Sequence, residues 1–219
     1  MPFPLRSLLI ASAVAATASS TVRADDAAPV MVSLATPAQL PSWDRDVSGF
    51  RLSLLYGDCC DFAGFDIGVV SRSSGSFDGL GIGGVNIVNG RFCGLQVGLF
   101  NWSGWPYSDH DRRSMGVQYG GINFADSLMG LQSGYINIST GLLSGVQYAY
   151  VNCANDVSGV QCGGLIVLGV NVAYGTMEGC QIGIVNYAQE MACGAQIGIL
   201  NIIARNGVFP VLPVVNCGF

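Results

Sequence analysis

The chain has 219 residues, 9 of them basic and 14 acidic, for a formal net charge of −5, and its length suits a single domain. It has no lysine and no basic stripe, the footprint that nucleic-acid binding requires, and the same deficit disfavours anionic lipid surfaces. Charged residues are 11% of the chain, against roughly 25% in an average soluble domain, and none occurs from Ser127 to Asn155. That stretch is never apolar for the ~20 residues a spanning helix needs, so the low charge has another origin.

Residues 1–24 read as a signal peptide. Arg6 supplies the positive start, Leu8 to Ala16 a short apolar core, and Val22-Arg23-Ala24 a small-x-small cleavage site. Cleavage would leave Asp25 first and a net charge of −7, since Arg6 and Arg23 leave. The first cysteine is Cys59, which argues against a lipid anchor at the new N-terminus. Residues 25–48 form an N-terminal lead-in to the repeat.

Residues 49–207 are a repeat, the strongest signal in the chain. Glycines at 49, 64, 79, 94, 116, 130, 145, 159, 179 and 194 each open a unit close to G-h-Q-h-G-h-h-N, where h is apolar. The usual step is 14 or 15 residues. Two steps are longer, 22 and 20, and carry insertions at Ser103 to Met115 and around Leu165 to Gly169. Inside a unit, Cys180, Ile182 and Ile184 alternate with Gln181 and Gly183, the period of a strand. Residues 208–219 form a C-terminal capping segment.

The fold class is therefore all-β, and two architectures fit. In a β-solenoid of about ten coils, each position stacks on its equivalent, so Gln and Asn columns would form amide ladders and Gly columns would mark special backbone. In an antiparallel meander or an outer-membrane β-barrel, each unit is one strand and one turn. Stacking is preferred because a meander needs alternation but not Asn at one fixed phase. The terminal aromatic Phe219 is a feature the barrel alternative shares.

The order of segments also resembles a known group. Pro37-Ala38-Gln39-Leu40-Pro41, then Asp46 to Gly57, then the GxQxGxxN units, then Pro210 to Asn216 are similar to the surface repeat-containing proteins of spirochaetes and related diderm bacteria. The resemblance spans roughly Val30 to Phe219. It implies an exported, cell-surface protein without an assigned activity and supplies no catalytic residue. Some members of that group resemble lipoproteins, and here the chain departs from them.

Candidate chemistry is sparse. The single histidine, His110, lies between Asp109 and Asp111 in the first insertion, where a solvated loop is the simplest reading. One histidine with adjacent aspartates cannot surround a metal from strand geometry. The eight cysteines are Cys59, Cys60, Cys93, Cys153, Cys162, Cys180, Cys193 and Cys217, without CxxC spacing. Cys162 and Cys180 fill apolar slots, which predicts burial. Gly81-Ile82-Gly83-Gly84 lacks the lysine and helix of a phosphate loop. Asp126 and Asp156 share a turn phase but are too few for a calcium repeat. Trp43, Trp102 and Trp105 are expected to pack over a coil end rather than stack on a sugar. Glu178 and Glu190, near turns of neighbouring units, are the one carboxylate pair on which a glycosidase reading could rest.

The sequence thus points to an exported, non-enzymatic structural or interaction protein of the bacterial envelope or surface. It has no catalytic, cofactor-binding or metal residues to name and no cofactor. Its partner would be an unknown protein or envelope component, not nucleic acid, with outer-membrane association left open. An outer-membrane β-barrel with a pore or transport role is the alternative.

Overall fold

The glycine that opens each unit decides how closely one unit approaches the next. The computed structural model describes residues 27–104, 113–164 and 169–219. In it, the ten unit-opening glycines have φ between +125° and +151°, a region L-residues avoid. A Cβ on any of them would lie 1.9–2.2 Å from a carbonyl oxygen of the preceding layer. Only glycine fits at this point, which explains why the repeat is glycine-led.

The strands are β1 (Ala28–Ala35), β2 (Ala38–Leu40), β3 (Val47–Cys59), β4 (Phe62–Ser73), β5 (Phe77–Val88), β6 (Phe92–Ser103), β7 (Ser114–Ala125), β8 (Leu128–Ala149), β9 (Val151–Gly163), β10 (Val170–Ile182), β11 (Val185–Arg205) and β12 (Val211–Gly218). From β3 to β11 every neighbouring pair is parallel and stacks like on like: Gly79 on Gly94, Gln132 on Gln118, Asn171 on Asn152. The result is a β-solenoid of about 11 turns. A meander or barrel would reverse direction at each step, and this stack does not. The count exceeds ten because β1, in the lead-in, pairs in parallel with β3 and forms a layer of its own.

Both ends of the stack are closed by reversed strands. β2 folds back antiparallel on β1, and β12 runs antiparallel on β11. Open strand edges invite further pairing, and these two segments occupy the positions where another layer would add. Neither insertion disturbs the register: Gly94 still meets Gly116, and Gly159 still meets Gly179. Strand β6 runs through Ser103, and β7 starts at Ser114, so the first insertion is shorter at both ends than its spacing suggests.

The interior has two halves. Near the turns, large and small side chains alternate around the bore. Phe62, Phe77 and Phe92 stack with centroids 5.0 and 6.1 Å apart. The column continues through Ser114, Leu128, Leu143, Val157, Met177 and Met191, all buried. Buried Ser73, Val88, Ser103, Ala125, Ser139, Ala154, Ala173 and Ala188 form a column of smaller residues in the same interior.

The other half is polar. Asn86, Asn101, Asn123, Asn137, Asn152, Asn171, Asn186 and Asn201 are linked in one chain, each Nδ2 donating to the Oδ1 of the next coil at 2.8–3.0 Å. Gln96, Gln118, Gln132, Gln147, Gln161, Gln181 and Gln196 form a second chain at 2.7–3.0 Å. Here each Nε2 donates to the preceding coil, so the two ladders run in opposite senses. The other amide hydrogens fix those senses: Asn123 Nδ2 also donates to the Ser133 carbonyl, and Gln132 Nε2 to the Ile138 carbonyl. An amide oxygen turned to either place would face another oxygen.

Two expected outcomes follow. Asn137→Ala removes a link that donates to Asn152 and accepts from Asn123, leaving a buried donor and a buried acceptor; thermal or urea unfolding should show a loss of about 2–6 kcal/mol, at ~1–3 kcal/mol for each unsatisfied group. Deleting the whole unit Gly130–Ser144 closes both ladders and should leave a folded, shorter solenoid. Deleting Gly130–Ile136 puts every later column out of phase and should abolish folding. Circular dichroism with limited proteolysis compares the two.

Candidate functional site

The ionisable groups divide between a buried cluster and one edge of the solenoid. In the first coils, the column that elsewhere holds Gln holds Arg51 and Asp66 instead. The guanidinium grips the carboxylate through Nε–Oδ1 at 2.8 Å and Nη2–Oδ2 at 2.9 Å. Arg51 also donates to the Arg72 carbonyl at 2.8 Å and to the Cys59 Sγ at 3.0 Å, and lies 4.5 Å over the Phe62 ring. Ser71 adds a bond to Asp66. Burial alone pulls the Arg51 pKa down, but the Asp66 carboxylate beside it more than offsets this and holds it above its ordinary value. Both partners are 1% exposed, so substrate has no approach to them. The cluster is a structural insert, and sequence reasoning missed it because Arg51 and Asp66 stand 15 residues apart in weak copies of the repeat.

The cysteines are all free thiols. Burial is the leading cause that raises the Cys59, Cys60, Cys93, Cys153, Cys162 and Cys180 thiols above their usual range. Raised thiols hold less thiolate, so these are poor nucleophiles. The predicted burial of Cys162 and Cys180 is not met: both are half-exposed on outward positions, because the Gln ladder takes the inward slot between them and their neighbours.

The remaining sequence candidates are placed as follows. Gly81 to Gly84 lie inside strand β5. A Cβ at Gly81 would meet the Phe77 ring at 3.2 Å, so this glycine interrupts the Gln column beside an aromatic. Asp126 accepts from Thr140 Oγ1 at 3.0 Å, and Asp156 from the Thr176 amide at 2.8 Å, each tying one turn to the next. Glu190 faces Arg205 at 3.8 Å and Asn206 at 3.2 Å, while Glu178 is in register with Cys193 and Ser158. Trp43 is exposed. Trp102 does not cover a coil end: it stacks sideways on Phe124 of the next layer at 3.8 Å. His110, Trp105 and the predicted cleavage site Val22-Arg23-Ala24 lie outside the described residues. Among the described residues, no cluster of His, Cys, Asp and Glu could hold a metal ion, and no helix is long and apolar enough to cross a membrane.

The outer surface is the distinctive feature. Gln Nε2 reaches across the bore to the carbonyl just after Asn, as from Gln118 to Phe124 and from Gln196 to Ile202. The two strand segments of a coil therefore face each other inward and present opposite outer faces. One face carries the columns around Leu95-Val97 and Val117-Tyr119; the other carries Phe100-Trp102 and Ile122-Phe124. The edge between them carries Leu99, Tyr135, Tyr150 and Ile199, all exposed. An open groove of about 930 Å³ follows this edge, lined by Ile82, Val97, Leu99, Tyr119, Tyr135 and Tyr150. A second, of about 460 Å³, lies on the other face among Val85, Ile87, Phe100, Trp102, Ile122 and Phe124. Amides inside and aliphatic or aromatic side chains outside reverse the usual arrangement.

Comparison with known proteins finds no matching family model, no matching curated protein and no matching solved structure.

The ion pair yields a test. Arg51→Met leaves Asp66 buried without its partner and should lower stability by about 3–5 kcal/mol. Adding Asp66→Asn removes the stranded charge and should recover a substantial part of that loss. Chemical denaturation of the wild type and both variants measures it.

Proposed function

We propose that this chain is an exported, non-enzymatic structural or interaction protein of the bacterial envelope, acting through the outer surface of its solenoid. One observation carries the reading. The amides of the repeat are turned inward and bond to one another, while the two faces and the edge between them offer broad apolar area to the surroundings. Exposed contiguous apolar surface marks an interaction site. Residues 1–24, with the pattern of a signal peptide, support export.

Cell fractionation tests the reading. The protein should appear in the envelope fraction and require detergent for extraction. Its gel mobility should not show the heat-dependent shift of a closed barrel. Recovery in the cytosolic fraction would overturn the proposal.

A further inference from the structure

The apolar surface is continuous, and its charge distribution has a direction. From Ile87 to Val215, the outward columns that run through Leu95, Val97, Leu99, Phe100 and Trp102 hold no charged side chain among the described residues. Of the charged residues described in that span, Arg91, Arg113, Asp126, Asp156, Glu190 and Arg205 lie toward the opposite edge, and Glu178 stands beside it in a strand, in register with Cys193 and Ser158. The solenoid is thus a slab with three apolar sides and one polar side.

Two observations identify what covers the three sides. The first is shape. The two apolar faces point in opposite directions, so one flat partner covers one face and leaves the other bare. A fluid that flows around an edge covers both. The second is the state of the polar groups beneath. Hydrocarbon tolerates a strand structure only when its backbone bonds are paired internally. Here the coils pair with their neighbours, and the side-chain amides under the apolar edge satisfy one another in two ladders.

We infer that the solenoid embeds edge-on in one leaflet of a phospholipid membrane, its apolar edge in hydrocarbon and its turn edge at the headgroups. The inference rests on the envelope reading and names its partner. Dimensions agree. Seven strand residues separate the turn edge from the apolar edge, about 23 Å at ~3.3 Å each. That covers half of a hydrocarbon core of about 30 Å and reaches the headgroup region. The acidic balance of the chain suits zwitterionic rather than anionic lipid.

Flotation of the purified protein with phosphatidylcholine vesicles tests this. Leu99 is 68% and Ile199 70% exposed, so the double variant Leu99→Glu/Ile199→Glu should keep the wild-type unfolding transition in detergent. Its vesicle-bound fraction should fall at least tenfold. Ala204→Glu, exposed at the turn edge, should float like the wild type. The inference is overturned if the wild type stays with the soluble protein, or if the double variant floats equally. It is also overturned if the lipid-free wild type is an oligomer that the double variant dissociates, because a second copy then covers the edge. Envelope recovery without flotation would leave the proposed function standing and remove only the lipid partner; flotation of a protein that fractionates with the cytosol would do the reverse.

Discussion

The in-register contact between one coil and the next is the constraint from which the rest of the structure follows. It brings each unit-opening glycine within 1.9–2.2 Å of a carbonyl oxygen, measured from where a Cβ would stand, and so fixes glycine at that phase. It also superimposes identical side chains, which only some residue types tolerate. Identical charges would repel along such a column. Primary amides carry both a donor and an acceptor, so Asn bonds to Asn and Gln to Gln without limit. Hydrogen-bonded chains of this kind polarise their members cooperatively. Because the Asn and Gln ladders donate in opposite senses, their dipoles along the axis oppose each other.

Where the ladders stop, the interior changes. Among the described residues, Asn86 Oδ1, Gln96 Nε2 and Gln196 Oε1 are buried polar atoms without a partner, and each lies at a ladder end. Beyond Asn86 the column continues as Ser71, and beyond Gln96 as Gly81. Further toward the N-terminus, Arg51 and Asp66 take over with a bidentate ion pair. Such a pair satisfies itself and cannot propagate, so it marks the start of the stack rather than its repeat. Reversed β2 and β12 then bound the stack at either end.

The amide interior also accounts for the exterior. A strand has two sides, and with Gln and Asn facing the bore, the alternating apolar residues must face out. Low charge and high apolar content, which called for explanation because no helix among the described residues is long and apolar enough to cross a membrane, are consequences of this inversion. Apart from the buried Arg51–Asp66 pair and the strand residues Asp58, Arg72, Asp78 and Glu178, the charges of the described coils sit toward the turns, where the chain has left the ladder.

The sequence by itself determined the period, the all-β class, the glycine phase and the identity of the stacked columns, because each is a property of one coil repeated along the chain. It could not assign inside and outside. Alternation of Cys180, Ile182 and Ile184 with Gln181 is equally compatible with either side facing the core, and the usual preference for apolar burial pointed the wrong way for Cys162 and Cys180. Only the tertiary structure decided this, through the crossing of Gln Nε2 to the opposite carbonyl, as from Gln181 to Tyr187, and the 14- to 22-residue jumps that join the ladders. It alone brought Arg51 to Asp66, made β1 a layer of the stack, and set the apolar faces back to back. Those relations depend on the direction in which neighbouring coils run, and a repeat period carries no information about direction.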